Sequence, residues 1–175
     1  MKGMKKTLKA FENSFENIIE NVKKTTQEYS LELLSVVLYG SRARGVKSSD
    51  SDYDFLVLLN DDATLLDFTQ FNAELRAKLR HNSNIEIFSN TPKNFGKILK
   101  NNIFLGAFCY IIASEGYPLY DPKDVFKKIQ KKVRTLSKEK QLIYTERCLK
   151  MSKQMGRHKW IKYWKTVLKD LRQKS

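Results

Sequence analysis

The chain has 175 residues, 41% of them apolar, with 33 Lys and Arg against 19 Asp and Glu for a net charge of +14. That length and apolar share suit one compact domain whose core needs no staples, with room for a helical appendage. Polar residues interrupt every apolar run short of about 18 residues, which argues against a membrane span, and the lysine-rich start "MKGMKKTLKAF" has no apolar segment of a secretory signal. Cys109 and Cys148 lie far apart without metal-type spacing and sit among apolar residues, so they read as core thiols of a cytoplasmic protein. The charge is uneven: residues 1–120 hold 15 Lys and Arg against 14 Asp and Glu, residues 121–175 hold 18 against 5. A basic tail of that kind suits a polyanion, an acidic partner surface, or simply a solvated helix face.

Leu8, Phe11, Phe15, Ile18, Ile19 and Val22 recur at three- and four-residue spacing, which predicts an amphipathic helix over 4–29. "LELLSVVLYG" reads as a strand ending in glycine, "SRARGV" opens a short helix, and "DYDFLVLL" is the next strand, closed by the turn formers "NDD". Phe68, Phe71, Leu75 and Leu79 mark a second amphipathic helix. "NIEIFS" alternates as a short strand, with Asn84, Glu86 and Phe88 on one side and Ile85 and Ile87 on the other. Thr91 before Pro92 is a helix start, with an oxygen at the N-cap and proline at the first helical position. Helices are expected over 92–101 and 103–114, with Gly116 as a stop and "YPLYDP" extended. From Val125 the chain reads as helical, with Ser137 a cap, Gly156 a break, and Trp160, Trp164, Val167, Leu168 and Leu171 a packing stripe between basic residues.

The segment from Leu38 to Leu59 carries the chemistry. Strand alternation places Asp52 and Asp54 on one face, about 6.5–7 Å apart. Two carboxylates that close repel each other unless a proton or a cation intervenes, and a hard divalent ion such as Mg²⁺ takes oxygen ligands and bridges phosphates. Just before them, the Gly40-Ser41 turn offers backbone N–H groups and a hydroxyl at a helix start, where an anion is favoured. A P-loop is excluded. Gly40 and Gly45 have its spacing, but Val46 stands where the lysine belongs and Lys47 and Ser48 come one position late.

Gly40-Ser41, ten residues, then Asp52-Tyr53-Asp54, with Ala43-Arg44-Gly45 inside and Ser51 before the first aspartate, resembles the signature of nucleotidyltransferases of the DNA polymerase β superfamily. The resemblance is strongest to the minimal nucleotidyltransferases and covers residues 30–120. It implies an α+β fold, a mixed β-sheet flanked by helices. The nucleotidyltransferase domain would span 1–120, N-terminal helix included, and a basic helical extension 121–175. It implies that Ser41 and the Gly40 backbone hold the β/γ-phosphates of an NTP, with ATP as the expected donor. Asp52 and Asp54 would ligate two Mg²⁺ ions. A third metal-binding carboxylate, commonly an aspartate on a neighbouring strand, falls to Glu86, whose longer arm departs from the pattern. Arg42 could reach a phosphate. Arg44 could do the same, or pair with a carboxylate and brace the turn. Asp50 reads as a turn residue, and His81 and His158 as surface groups.

The implied reaction moves a nucleoside monophosphate from an NTP to a hydroxyl and releases pyrophosphate. The resemblance leaves the acceptor open. It could be a protein hydroxyl, as where a minimal nucleotidyltransferase acts as antitoxin by adding AMP to a separate helical HEPN-type partner. It could also be RNA or tRNA held on the basic tail, or a small molecule of the aminoglycoside kind. A non-catalytic nucleotide-binding module is the remaining alternative. The signature of such a partner, Arg, four to six residues, then His, fits here once by number, Arg76 to His81, and reads as chance inside a transferase helix.

Overall fold

In the computed structural model, which describes residues 12–45, 52–79, 85–101 and 103–173, the first element is helix α1, Glu12–Glu28. The helix start expected near residue 4, the turn at Asp50 and the surface position of His81 lie outside the described residues. Phe15, Ile18 and Val22 fall on one side of α1 and are buried, as the spacing predicts. Thr25 and Thr26 continue the buried side, their hydroxyls donating to the carbonyls of Asn21 and Lys23 at 2.9 and 2.7 Å.

Strands β1 (Leu33–Tyr39) and β2 (Tyr53–Leu59) are antiparallel, with Tyr39 opposite Asp54 and Leu38 opposite Phe55. A single helical turn, α2 (Gly40–Ala43), follows β1 directly. Helix α3 (Leu65–Leu79) then carries the chain to β3 (Ile85–Asn90), which lies parallel to β2. The fourth strand, β4 (Tyr117–Tyr120), pairs antiparallel with β1 and gives a mixed sheet of order β3-β2-β1-β4. This is the expected α+β arrangement, and "YPLYDP", expected only to be extended, supplies an edge strand.

Alternation along the strands sorts their faces. Val36, Leu38, Phe55, Val57, Leu59 and Ile87 share a hydrophobic cluster with Phe15, Ile18 and Val22 of α1 and Phe71, Leu75 and Leu79 of α3. Asp54, Leu56 and Leu58 point to the other face of β2. A residue on that face near the strand's start is held by a backbone buried a few residues further on, which suits a site needing fixed geometry.

Helices α4 (Pro92–Asn101), α5 (Ile103–Glu115), α6 (Val125–Arg134), α7 (Lys138–Gln154) and α8 (His158–Gln173) complete the fold. The caps follow the sequence. Thr91 Oγ1 accepts from the Asn94 amide at 3.1 Å, and Ser137 Oγ accepts from the Lys140 amide at 3.4 Å. The chain forms two compact units, one of residues 1–94 with 115–128 and one of residues 95–114 with 129–175. In the second, Tyr144 of α7 donates to the Leu99 carbonyl and stacks on Tyr110 with ring centroids 5.0 Å apart, while α8 buries Trp164 and Leu168. Cys109 and Cys148 are both free and buried, as expected. Burial pushes the Cys109 thiol up to about 12. No helix among the described residues is long and apolar enough to cross a membrane.

Candidate active site

The candidate site forms where β1 ends and β2 begins. After Tyr39 the backbone turns sharply: Gly40 has φ +76°, a conformation L-residues with a Cβ avoid. Space makes the same demand. A Cβ on Gly40 would stand 2.1 Å from Asp54 Oδ2 and 3.0 Å from its Cγ. The Asp54 carboxylate therefore rests against the Gly40 α-carbon, and the glycine-serine turn and the aspartate meet through the Tyr39–Asp54 pairing. Ser41 is half-buried on the first turn of α2, beside that contact.

Asp52 precedes β2 and is exposed; one residue separates it from Asp54, so the two share a face. Glu86 is the direct partner of Asp54 in the parallel β2–β3 register. Neighbouring strands lie about 4.8 Å apart, so Asp54 and Glu86 stand side by side on the face that also bears Asp52. The register thus sets Asp54 beside Glu86 at the level of the backbone, with Asp52 one residue before the start of β2. The Glu86 side chain is 61% exposed and accepts from Arg76 of α3 at 3.1 Å. The same arginine donates to the Ile87 carbonyl at 3.4 Å.

The two arginines of the turn serve as braces. Arg42 Nε donates to the Asp52 carbonyl at 3.2 Å, and its guanidinium lies 3.7 Å from the centroid of the Tyr53 ring. It therefore reaches from α2 to the start of β2 and ties together the two ends of the intervening segment. Arg44 pairs with Glu115, the last residue of α5, with the two side chains only 13% and 4% exposed. A carboxylate at a helix C-terminus meets the negative end of the dipole, and burial adds a desolvation cost. Arg44 offsets both, and its engagement there is the carboxylate-bracing alternative that the sequence left open.

Glu115 and Arg76 carry no site signal in the sequence. Glu115 looks like an ordinary last-turn glutamate before Gly116, and its partner is 71 residues away. Arg76 has only His81 at a suggestive spacing, whereas its partner in the fold is Glu86. His158, at the start of α8, is exposed, as expected.

The donor set fits a hard divalent cation, since Asp52, Asp54 and Glu86 offer only carboxylate oxygens. Asp54 is held by the cradle at Gly40, which a Cβ would fill. Among the described residues no three His, Cys, Asp or Glu side chains converge as a ready-made metal group. Glu86 would have to leave Arg76 to join the two aspartates.

A family model described as polymerase beta, nucleotidyltransferase matches residues 20–107, which takes in the glycine-serine turn and all three carboxylates. A comparison with curated proteins finds no match. Among solved structures, a chain of a toxin–antitoxin crystallised with AMP-PNP is similar at 17% identity, covering 78% of this chain and 97% of that one, with a TM-score of 0.47. A chain of the MntA–HepT toxin–antitoxin is similar at 15% identity, 80% and 98% coverage, and a TM-score of 0.47. A chain of the complex of tri-AMPylated Shewanella oneidensis HEPN toxin with MNT antitoxin is similar at 17% identity, 84% and 98% coverage, and a TM-score of 0.43.

Proposed function

We propose that this chain, which belongs to the polymerase β nucleotidyltransferase family, transfers a nucleoside monophosphate from an NTP, with ATP as the expected donor, to a hydroxyl in a Mg²⁺-dependent reaction. One observation carries the reading. The Asp54 carboxylate is seated against Gly40 and lies in register with Glu86, so a phosphate-type turn and a carboxylate face meet at one point.

In this mechanism Ser41 and the backbone at Gly40 would hold the β- and γ-phosphates, and Asp52 and Asp54 would hold the cations. Bound Mg²⁺ would supply charge neutralisation on the triphosphate and lower the cost of forming the attacking alkoxide. The acceptor oxygen attacks the α-phosphorus, the bond from that phosphorus to the bridging oxygen breaks, and pyrophosphate leaves with the electron pair. Glu86, once released from Arg76, lies beside Asp54 on the acceptor side and takes the hydroxyl proton. Arg42 and Arg44 act on the turn itself, holding Asp52 and Ser41 in place through Tyr53, the Asp52 carbonyl and Glu115. Rigid positioning of this kind is the chain's main contribution to phosphoryl-group chemistry.

The acceptor we favour is a protein hydroxyl on a separate helical, HEPN-type partner, with AMP as the transferred group. The support is the motif, whose Gly40-Ser41, Ala43-Arg44-Gly45 and Asp52-x-Asp54 elements match minimal nucleotidyltransferases most closely. The test is incubation with Mg²⁺ and each α-phosphate-labelled NTP, in host lysate and separately with total RNA. Label on a discrete protein band is the expected result, and label on RNA would replace the protein acceptor with an RNA hydroxyl. Asp52→Asn combined with Asp54→Asn should abolish transfer while leaving the circular dichroism spectrum unchanged. Retained transfer in that double variant would overturn the site.

A further inference from the structure

The whole net charge of the chain belongs to one of its two units. Residues 95–114 and 129–175 hold 17 Lys and Arg against three Asp and Glu, while the remaining residues are balanced at 16 against 16. The three acids, Glu139, Glu146 and Asp170, cannot neutralise that excess, and Glu146 is already engaged by Arg172 at 2.9 Å. A face kept charged only for solubility mixes both signs. This unit hardly does.

Helix α8 shows how the excess is displayed. Trp164 and Leu168 are buried along one side, with Ile161 and Leu171 half-buried beside them. Lys162, Lys165 and Lys169 are exposed and are centred about 110° around the axis from that side. At 100° and 1.5 Å per residue they fall within about 60° of one another around the axis, at rises of about 4.5 and 6 Å. Tyr163, 38% exposed, lies about 100° around the axis from Lys162, with its ring edge-on to Trp164 at 4.9 Å. At the start of the helix the Arg157 guanidinium lies 5.7 Å from the Trp160 ring centroid.

We propose that this lysine face of α8 docks the phosphate backbone of single-stranded nucleic acid, with Tyr163 as a stacking surface for a base. A row of cations with an exposed aromatic ring within reach on the same helix is an arrangement that can track a flexible polyphosphate. The type of cation separates this ligand from an acidic protein. The unit carries 13 lysines and four arginines. Protein interfaces favour arginine and deplete lysine, because the planar fork fits a carboxylate and sheds water more readily. A lysine-dominated face suits point-charge contact with phosphates. The proposal goes beyond nucleotidyl transfer and does not depend on it.

The test uses the full chain and a fluorescein-labelled single-stranded RNA of about 20 nucleotides, long enough for one site. Binding is read by anisotropy across a KCl series. The triple variant Lys162→Glu, Lys165→Glu, Lys169→Glu should bind about tenfold or more weakly. Each lysine that meets a phosphate adds about 0.7 to the slope of log affinity against log salt, so removing three should flatten it by about 2. The control, Lys24→Glu, Lys93→Glu, Lys128→Glu, has the same net charge but reverses exposed lysines of the other unit. It should retain the wild-type slope. Tyr163→Leu should weaken single-strand binding more than duplex binding. The proposal is overturned if the wild type shows no saturable binding at low salt, or if both triple variants weaken alike, which would mean net charge alone. It is equally overturned if polyglutamate competes as well as RNA, which would assign the face to an acidic protein.

Discussion

Gly40→Ala separates two demands that meet at one residue. The φ of +76° costs an alanine about 1–2 kcal/mol as left-handed backbone. The new methyl would also stand 2.1 Å from Asp54 Oδ2. Ordinary carbon contacts begin near about 3.5 Å, so the carboxylate or the turn must move by more than about 1 Å. A misplacement of that size in reacting groups can cost about 100-fold in rate. Gly45→Ala supplies the comparison. Gly45 has φ +72°, yet a Cβ there meets nothing within 4 Å among the described residues. Gly45→Ala should lose about 1–2 kcal/mol in urea denaturation and Gly40→Ala more, because the clash adds to the backbone cost, while only Gly40→Ala should lose about 100-fold in Mg²⁺-dependent transfer of label from an α-labelled NTP. Binding of a non-hydrolysable NTP analogue, followed by calorimetry, reads the same turn without any acceptor. Equal transfer by the two variants would refute the argument that the Gly40–Asp54 contact sets the site.

Glu115→Gln removes the carboxylate charge paired with buried Arg44 and should destabilise the fold by about 3 kcal/mol in denaturant melts. It should also raise KM for NTP more than it lowers kcat, because the turn bearing Ser41 loses its brace. Arg76→Ala breaks an exposed pair, so stability should change by less than about 1 kcal/mol. Mn²⁺ affinity, measured by electron paramagnetic resonance, should rise as Glu86 is released, and unchanged affinity would remove Glu86 as a ligand. For Cys109, burial raises the thiol from 9.0 to about 12, so the folded chain keeps a proton that the unfolded chain releases. Its contribution to stability is full below pH 9.0 and is lost as pH rises towards about 12. Urea midpoints over that range should fall less steeply in Cys109→Ala than in the parent.

Features encoded over a few residues were legible in the chain. The Thr91-Pro92 start, the Ser137 cap and the buried stripe of α1 all depend on neighbours within one or two turns. Glu86 is reached through the resemblance and its order along the chain, and the β2–α3–β3 connection sets it on the next strand in register with Asp54. What was not legible depends on distant partners. "YPLYDP" has no local mark of its pairing with β1. Glu115 looks like a solvated glutamate until Arg44, from 71 residues earlier, is placed against it. Long arginine side chains add a further ambiguity, since each can reach several acceptors. Arg42 could be read as a phosphate ligand from sequence, and in the fold its guanidinium spans Tyr53 and the Asp52 carbonyl.

The borders of the sheet carry a consequence for assembly. β4 has four residues and includes Pro118, which has no N–H to offer another strand. At the opposite border, Arg76 occupies the Ile87 carbonyl and pairs with Glu86, setting two charges along β3. Short, proline-bearing or charged borders discourage an incoming strand. The ladder is thereby sealed on both sides, which disfavours strand-swapped dimers and fibrillar stacking.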